Sequence, residues 1–418
     1  MPRKGPRIYA HAKKMGDAMI YKLNDTAFLD DPAAQLARMR AEGALVKVKV
    51  PVVGPIWATT TDEAARKLLK SPEMFPRDPE PITGKSLAKR FWWMPPAIKP
   101  MLHTMIVTDD PAHKRQRKLV ELAFARTSIE DMRPKIEASA RQLLDKLPSR
   151  DPVDIVRHYT RPLPFLAICA LLGIPENTHA RLTARIAPLS AVSNPLRAIY
   201  AVLRLSGVHR EFREMFAQAR QRPPGPGLIS ALVHAEDDGA RLSDEELLSI
   251  TLLLFLAGHE TTVHLINAGI VALAEDADLK AHFKAQPDTR HLLIEEFLRY
   301  FSPVMMTKAM FAAQDTEILG TPVKKGDMVS ALLLAANHDP DRVEAPGELR
   351  PDRRPNAHLG FGFGPHVCLG MQLARIEANV ALTALFARHP DLSLARPPKW
   401  LNRPGLRAPA GVSLNLRG

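Results

Sequence analysis

One cysteine in this chain stands where it could do chemistry. Cys368 lies in FGFGPHVCLG, residues 361–370, a glycine-rich loop that runs straight into a helix-like stretch. The other cysteine, Cys169, sits in the apolar run FLAICALLGIP and reads as a buried, inert thiol. Two cysteines cannot build a disulfide framework or a Cys-rich zinc site. Cys368 is therefore a lone thiol: a small buried side chain, a nucleophile or a metal ligand. Its loop has the spacing of neither the dinucleotide fingerprint nor the P-loop, and no thiol-protease signature accompanies it. A helix start favours the thiolate through the dipole and free backbone N–H groups.

Three other stretches carry reactive side chains. LAGHETTVH, residues 256–264, puts His259, Glu260 and His264 in an otherwise apolar helical run. A zinc-protease helix needs its histidines four apart on one face; five residues turn them about 140° apart, so that reading fails. What remains is a glycine, an acid and two hydroxyls. Gly258 removes a side chain, so a flat group could approach the helix backbone, and Thr261 can bond back to the Ala257 carbonyl and loosen the helix. A helix kink with an incidental acid is the plain alternative. EEFLRY sets Glu296 and Arg299 one turn apart, ordinarily a helical ion pair; Arg350, Arg353 and Arg354 downstream could extend it and brace the cysteine loop. HKRQR sets His113 and Arg117 on one helical face, either a surface charge cluster or, with His366, donors for carboxylates or phosphates. A single thiolate in a rigid loop, facing a glycine-bearing helix, suits an axial ligand of haem iron, where it favours O–O cleavage.

The elements that must position these groups are mostly helical. Residues 247–274 form a long apolar run started by SDEE, where Ser243 and Glu246 make a capping box. It is long enough to span a bilayer, but Glu260, two histidines and Asn267 would be costly at mid-membrane, so a buried core helix is expected. ALVKVKVPVVGPIWATTT alternates as a strand pair turned at Gly54-Pro55, TDEAARKLLKS opens a capped helix at Thr61, and TEILG, TPVKKGDMVSALLL and GVSLNL read as short strands. Residues 75–110, including RFWWMPP, read as a long irregular loop. With 418 residues, 46% hydrophobic and 24% charged, the chain has the composition of a soluble globular protein, and no linker divides it; one α+β domain over 1–418, more helix than strand, is expected. The basic N-terminal residues lack an apolar signal core. The formal net charge of +12 favours an acidic partner, and without an aromatic-interleaved basic stripe nucleic acid is not that partner.

Together these stretches resemble the cytochrome P-450 family. FGFGPHVCLG matches the Phe-Gly-x-Gly-x-x-x-Cys-x-Gly haem loop at every fixed position, AGHETT resembles the oxygen-activation motif, EFLR the Glu-x-x-Arg motif, and HKRQR the helix that meets the haem propionates. The resemblance implies a mainly helical fold with small β-sheets and the long helix over haem b (iron protoporphyrin IX). It implies that Cys368 is the iron ligand, with Phe361, Gly362 and Gly370 in its loop. His113, Arg117 and His366 would hold the propionates, Ala257 and Gly258 would line the distal haem face, and Thr261 with Glu260 would manage protons. Glu296, Arg299 and Arg353 would serve the fold. The arginine usually offered to a propionate from the strand after EEFLRY is missing, with only Lys308 nearby. The implied reaction is hydroxylation of a hydrophobic small molecule with O2 and two electrons from a separate acidic ferredoxin and its reductase, in a cytoplasmic monomer without a membrane anchor. Arg115 and Lys118 are the expected ferredoxin contacts. Rival readings are a peroxide-driven haem oxygenase and a non-catalytic haem sensor or carrier. RFWWMPP, residues 186–208, Leu253 to Leu256, SPVMM and LRAPAG are the expected substrate walls.

Overall fold

The computed structural model describes residues 19–51, 53–84, 86, 97, 99–102, 104–125, 129–190, 195–401 and 403–417. The expected wall RFWWMPP and the basic N-terminal segment lie outside them. Six helices position the site: α1 (Asp62–Leu69), α2 (Ala112–Ala125), α3 (Pro162–Leu172), α4 (Asp244–Glu275), α5 (Arg290–Phe301) and α6 (Met371–Arg388).

The starts of α1 and α4 follow from their caps. The Thr61 side chain accepts the Ala64 N–H at 3.2 Å. At α4, Ser243 accepts from the Glu246 N–H while the Glu246 carboxylate accepts from the Ser243 N–H at 2.9 Å. This reciprocal pairing satisfies two donors that a helix end otherwise leaves unmet. The 32 residues of α4 run through the core: residues 247–252 and 262–273 are buried. A Cβ on Gly269 would lie 2.7 Å from Leu382 and 3.1 Å from Phe297, so glycine lets α4, α5 and α6 converge there. Two side-chain bonds tie the same region: Tyr159 donates to the Ala381 carbonyl at 2.8 Å, and Asn267 accepts from Thr160 at 2.7 Å. The apolar length of α4 is thus spent on neighbouring helices.

The alternating segment forms strands Leu45–Val50 and Gly54–Thr59, with Gly54 at φ +99° making the turn. They pair antiparallel, Val48 opposite Ile56, in a five-stranded sheet whose order is Ile20–Tyr21, Leu45–Val50, Gly54–Thr59, Met328–Ser330, Met310–Phe311. TEILG and the following TPV form a hairpin, Thr316–Ile318 with Thr321–Val323. TPVKKGDMVSALLL departs from expectation at its end, because Leu333–Asn337 is a helical turn. A continuous apolar run is compatible with either state, and here every residue of the turn is buried. Residues 75–110 also contain short helices, Glu80–Thr83 and Lys99–Leu102.

Candidate active site

The cysteine loop is built by glycines and held by buried charge. Gly362 and Gly364 adopt φ +76° and +75°, which a side chain would strain. A Cβ on Gly364 would also come within 2.5 Å of the Leu69 carbonyl oxygen, so the loop packs backbone to backbone on the end of α1. The Cys368 N–H donates to the Phe361 carbonyl at 2.9 Å, closing the loop on itself. Burial pushes the thiol pKa up, while the Gly370 N–H bonded to the sulfur and the nearby Arg117 and Arg375 pull it down. Gly370 therefore contributes its amide, at the start of α6. Phe361 lies under the Arg375 guanidinium, 4.8 Å from ring centroid to cation.

Behind the loop, Glu296 is completely buried and gathers five donors. Arg299 gives two bonds of 2.8 Å, Arg353 approaches both oxygens at 3.0 and 3.1 Å, the Arg350 backbone N–H donates at 3.0 Å, and Asn356 at 3.0 Å. These donors hold the carboxyl below the usual glutamate range against the opposing effect of burial. The loop arginine at this carboxylate is thus Arg353; the Arg350 guanidinium turns outward to Glu348 and Glu344. The neighbouring Glu295 builds a second clasp that sequence reasoning missed. It accepts two bonds of 2.7 Å from Arg375 and one of 3.1 Å from His358, and its pKa falls to about 2 despite partial burial. An acid beside Glu296 on an amphipathic helix carried no local signal of this role.

Midway along its length, α4 opens. Ala257 is exposed and residues 258–261 are partly so, although they lie midway along a helix that is buried on both sides. The Thr261 hydroxyl donates to the Ala257 carbonyl at 2.8 Å, and Thr262 to Gly258 at 3.2 Å, the local back-bonding that loosens a helix. At Gly258 the packing against α3 supplies a second reason for glycine. A Cβ there would meet Ile168 of α3 at 3.1 Å, so the missing side chain admits Ile168, and Ala257 is the residue that faces the opening. Glu260 pairs with Arg403, a residue the sequence reading did not single out. His259 bonds the Arg161 carbonyl at 3.2 Å, and burial lowers the pKa of both His259 and His264 to about 4, leaving them neutral.

A third group borders the same space. Arg117 donates to the Val367 carbonyl at 2.7 Å, linking α2 to the cysteine loop. His113 is buried and stacks on His366 at 4.0 Å, with its Nε2 left without a hydrogen-bond partner. Arg77, 6% exposed, lines a small pocket with His366, Met310 and Asp109, and burial lowers its pKa to about 10. Lys308 is accessible yet hemmed in by protein; desolvation and the nearby Arg403 and Arg77 hold its pKa down. The two expected ferredoxin contacts are already engaged: Arg115 pairs with Glu246, and Lys118 lies 2.8 Å from Asp237.

These residues fit haem. A thiol offers one coordination bond, and no cluster of three metal-ligating side chains exists among the described residues, so an iron held here must bring its other ligands with it. Desolvated Arg77, accessible Lys308 and the orphaned His113 nitrogen are donors suited to two carboxylates. The exposed Ala257 face supplies the opposite wall.

Comparison with known proteins agrees. The family model described as cytochrome P-450 matches residues 291–395, which include Glu296, Arg353 and Cys368. The polyketide biosynthesis cytochrome P-450 PksS of Bacillus subtilis is 33% identical over 96% of this chain and 99% of its own, and its solved structure superposes with a TM-score of 0.85. The vitamin D(3) 25-hydroxylase of Pseudonocardia autotrophica is 35% identical over 88% of this chain and 89% of its own. The myxobacterial CYP267B1, solved with myristic acid, is 32% identical with a TM-score of 0.85, over 95% of this chain and 99% of its own. Full-length similarity of this order leaves one conclusion: the chain belongs to the cytochrome P-450 family, whose members bind haem b and act as haem-thiolate monooxygenases.

Proposed function

We propose that this chain hydroxylates a hydrophobic small molecule with O2, using two electrons from a separate ferredoxin. The observation that carries the reading is the presence of two unlike features: a thiol whose sulfur accepts the Gly370 N–H, and an α4 segment opened at Ala257, Glu260 and Thr261. Haem bound between them would supply oxygen activation and electron transfer at iron. Cys368 would be its protein ligand, His113, His366 and Arg77 would hold its carboxylates, and Arg117 would keep the loop in register through Val367.

The chain's own residues then have three tasks. The Gly370 amide and the nearby arginines stabilise negative charge on sulfur, countering part of the upward push of burial. Thr261, bonded to the Ala257 carbonyl, presents a hydroxyl at the opened helix, and Glu260 beside it is an acid that can exchange protons with entering water; together they fit the general-acid role. Leu253, Leu254 and Leu256, partly exposed on the same helix, give the cavity an apolar wall suited to a hydrophobic substrate. The relatives' names point the same way, since they refer to a polyketide pathway, vitamin D(3) and myristic acid. We place the protein in the cytoplasm as a monomer of one haem-thiolate domain. The net charge of +12 supports an acidic electron donor. Because Arg115 and Lys118 already hold partners within the chain, their contribution to docking is reduced.

The test is spectroscopic and then chemical. The reduced protein with carbon monoxide should show the red-shifted Soret band of thiolate ligation; its absence removes the assignment of Cys368. Substrate should accelerate consumption of reducing equivalents in the presence of ferredoxin and reductase. A sensor or carrier shows no such acceleration, and a peroxide-driven enzyme forms product without the electron donors.

A further inference from the structure

Arg403 is an accessible cation, paired with Glu260 of α4 and carried by a loop tied down at several points. It lies between strands Lys399–Trp400 and Pro409–Gly411. Backbone bonds hold the loop at several points: Met305 N–H to the Gly405 carbonyl at 3.0 Å, Arg407 N–H to Pro303 at 3.1 Å, and Leu401 N–H to Ala408 at 2.8 Å. Arg407 is buried and bonds the Leu29 carbonyl at 3.0 Å while stacking on Trp400 at 4.3 Å, which anchors the loop from behind. The loop thus joins the segment Pro303–Met306 beyond α5, where two of the expected substrate walls meet.

Arg403 has hydrogen-bond donors to spare. Its Nη1 pairs with Glu260, and among the described residues its other donors have no hydrogen-bond partner. A guanidinium offers a fork of five donors that matches a carboxylate with two parallel bonds. Two further groups lie within its field: Lys308, also cationic, and His264, which burial keeps neutral. The pair is also accessible, with side chains 39% and 33% exposed, so an entering ligand can compete for it.

We propose that Arg403 selects a hydrophobic substrate bearing a carboxylate, and that this carboxylate displaces Glu260 from Arg403. The proposal rests on the monooxygenase reading and deepens it by naming the substrate class. Its consequence is a gate: the acid is latched while the cavity lacks substrate and is released for proton exchange beside Thr261 once the substrate anion takes its place. No bond is made or broken, since one carboxylate replaces another on the same guanidinium.

The competition gives opposite signs for two variants. Holoenzyme is titrated by the substrate-induced Soret shift with a panel of aliphatic and polycyclic carboxylic acids, each beside its methyl ester. At least one acid should bind about tenfold or more tightly than its ester, the gain expected for a charge-assisted pair. Arg403→Gln should erase that preference while leaving the ester unchanged. Glu260→Gln should tighten the acid severalfold and leave the ester unchanged, which a merely structural pair would not do. If no acid in the panel outbinds its ester, including the case in which none binds, the proposal is overturned. It is equally overturned if either variant shifts acid and ester together. A normal carbon monoxide spectrum in the same samples assigns such failures to the substrate class, whereas an abnormal one assigns them to the haem-thiolate reading.

Discussion

The two sides of the site use charge in opposite ways. Behind Cys368, Glu296 is fully buried with five donors and Glu295 holds two more side chains, so each carboxylate is saturated. Across the cavity, Glu260 has one partner, Arg403, and both are accessible. Saturated buried charge fixes geometry, because removing one member strands the others without solvent. A single exposed pair is weak and exchangeable. On the proposed reading, the cysteine side holds one thiolate in one place, while the helix side admits substrate, oxygen and protons. The contrast therefore follows from the tasks.

The sharpest way to break the cysteine side is Glu296→Gln. It leaves two buried arginines undercompensated and should cost about 3–5 kcal/mol, seen as a large fall in the denaturation midpoint; a loss below 1 kcal/mol would place the bracing elsewhere. Gly364→Ala comes next. A methyl at φ +75° and 2.5 Å from the Leu69 carbonyl oxygen should cost about 1–3 kcal/mol and weaken haem retention; unchanged retention would show that the loop can shift without consequence.

Glu295 gives a smaller, pH-dependent effect. Its pKa falls to about 2 from an ordinary value of 4.5, so its contribution is present above 4.5 and drains away as pH falls toward 2. Glu295→Gln should flatten the stability profile across that window and lower stability above it; an unchanged acid limb would contradict the clasp. The smallest stability change belongs to the helix side. Thr261→Ala removes one exposed back-bond and should alter stability by under about 1 kcal/mol, yet product formed per electron consumed should fall severalfold. Full coupling in that variant would favour the peroxide-driven rival.

Legibility followed the range of the interactions. The capping box of α4, the Thr61 cap, the Thr261 back-bond and the Glu296–Arg299 pair all join residues within one turn, and each was readable from spacing. Arg353, 57 residues beyond Glu296, was chosen from three nearby arginines. The Glu295 clasp reaches 63 and 80 residues along the chain, and Arg403 reaches 143 back to Glu260, so neither left a local pattern. Gly258 shows a different limit. The glycine was conspicuous, but which neighbour fills its missing side chain depends on the packing of α3 against α4, and that neighbour is Ile168.

The amino-acid sequence by itself determined the family, the thiol that would meet iron and the helix that faces it. These are encoded by side-chain identity at short, fixed spacing, where backbone geometry leaves few alternatives. Tertiary structure alone decided which cations remain unbalanced around the cavity, because a charge's partner is set by distance in space. Arg115 and Lys118, conspicuous as free positive charges in the sequence, are paired in the fold, whereas Arg403, inconspicuous in a proline-flanked loop, stands at Glu260.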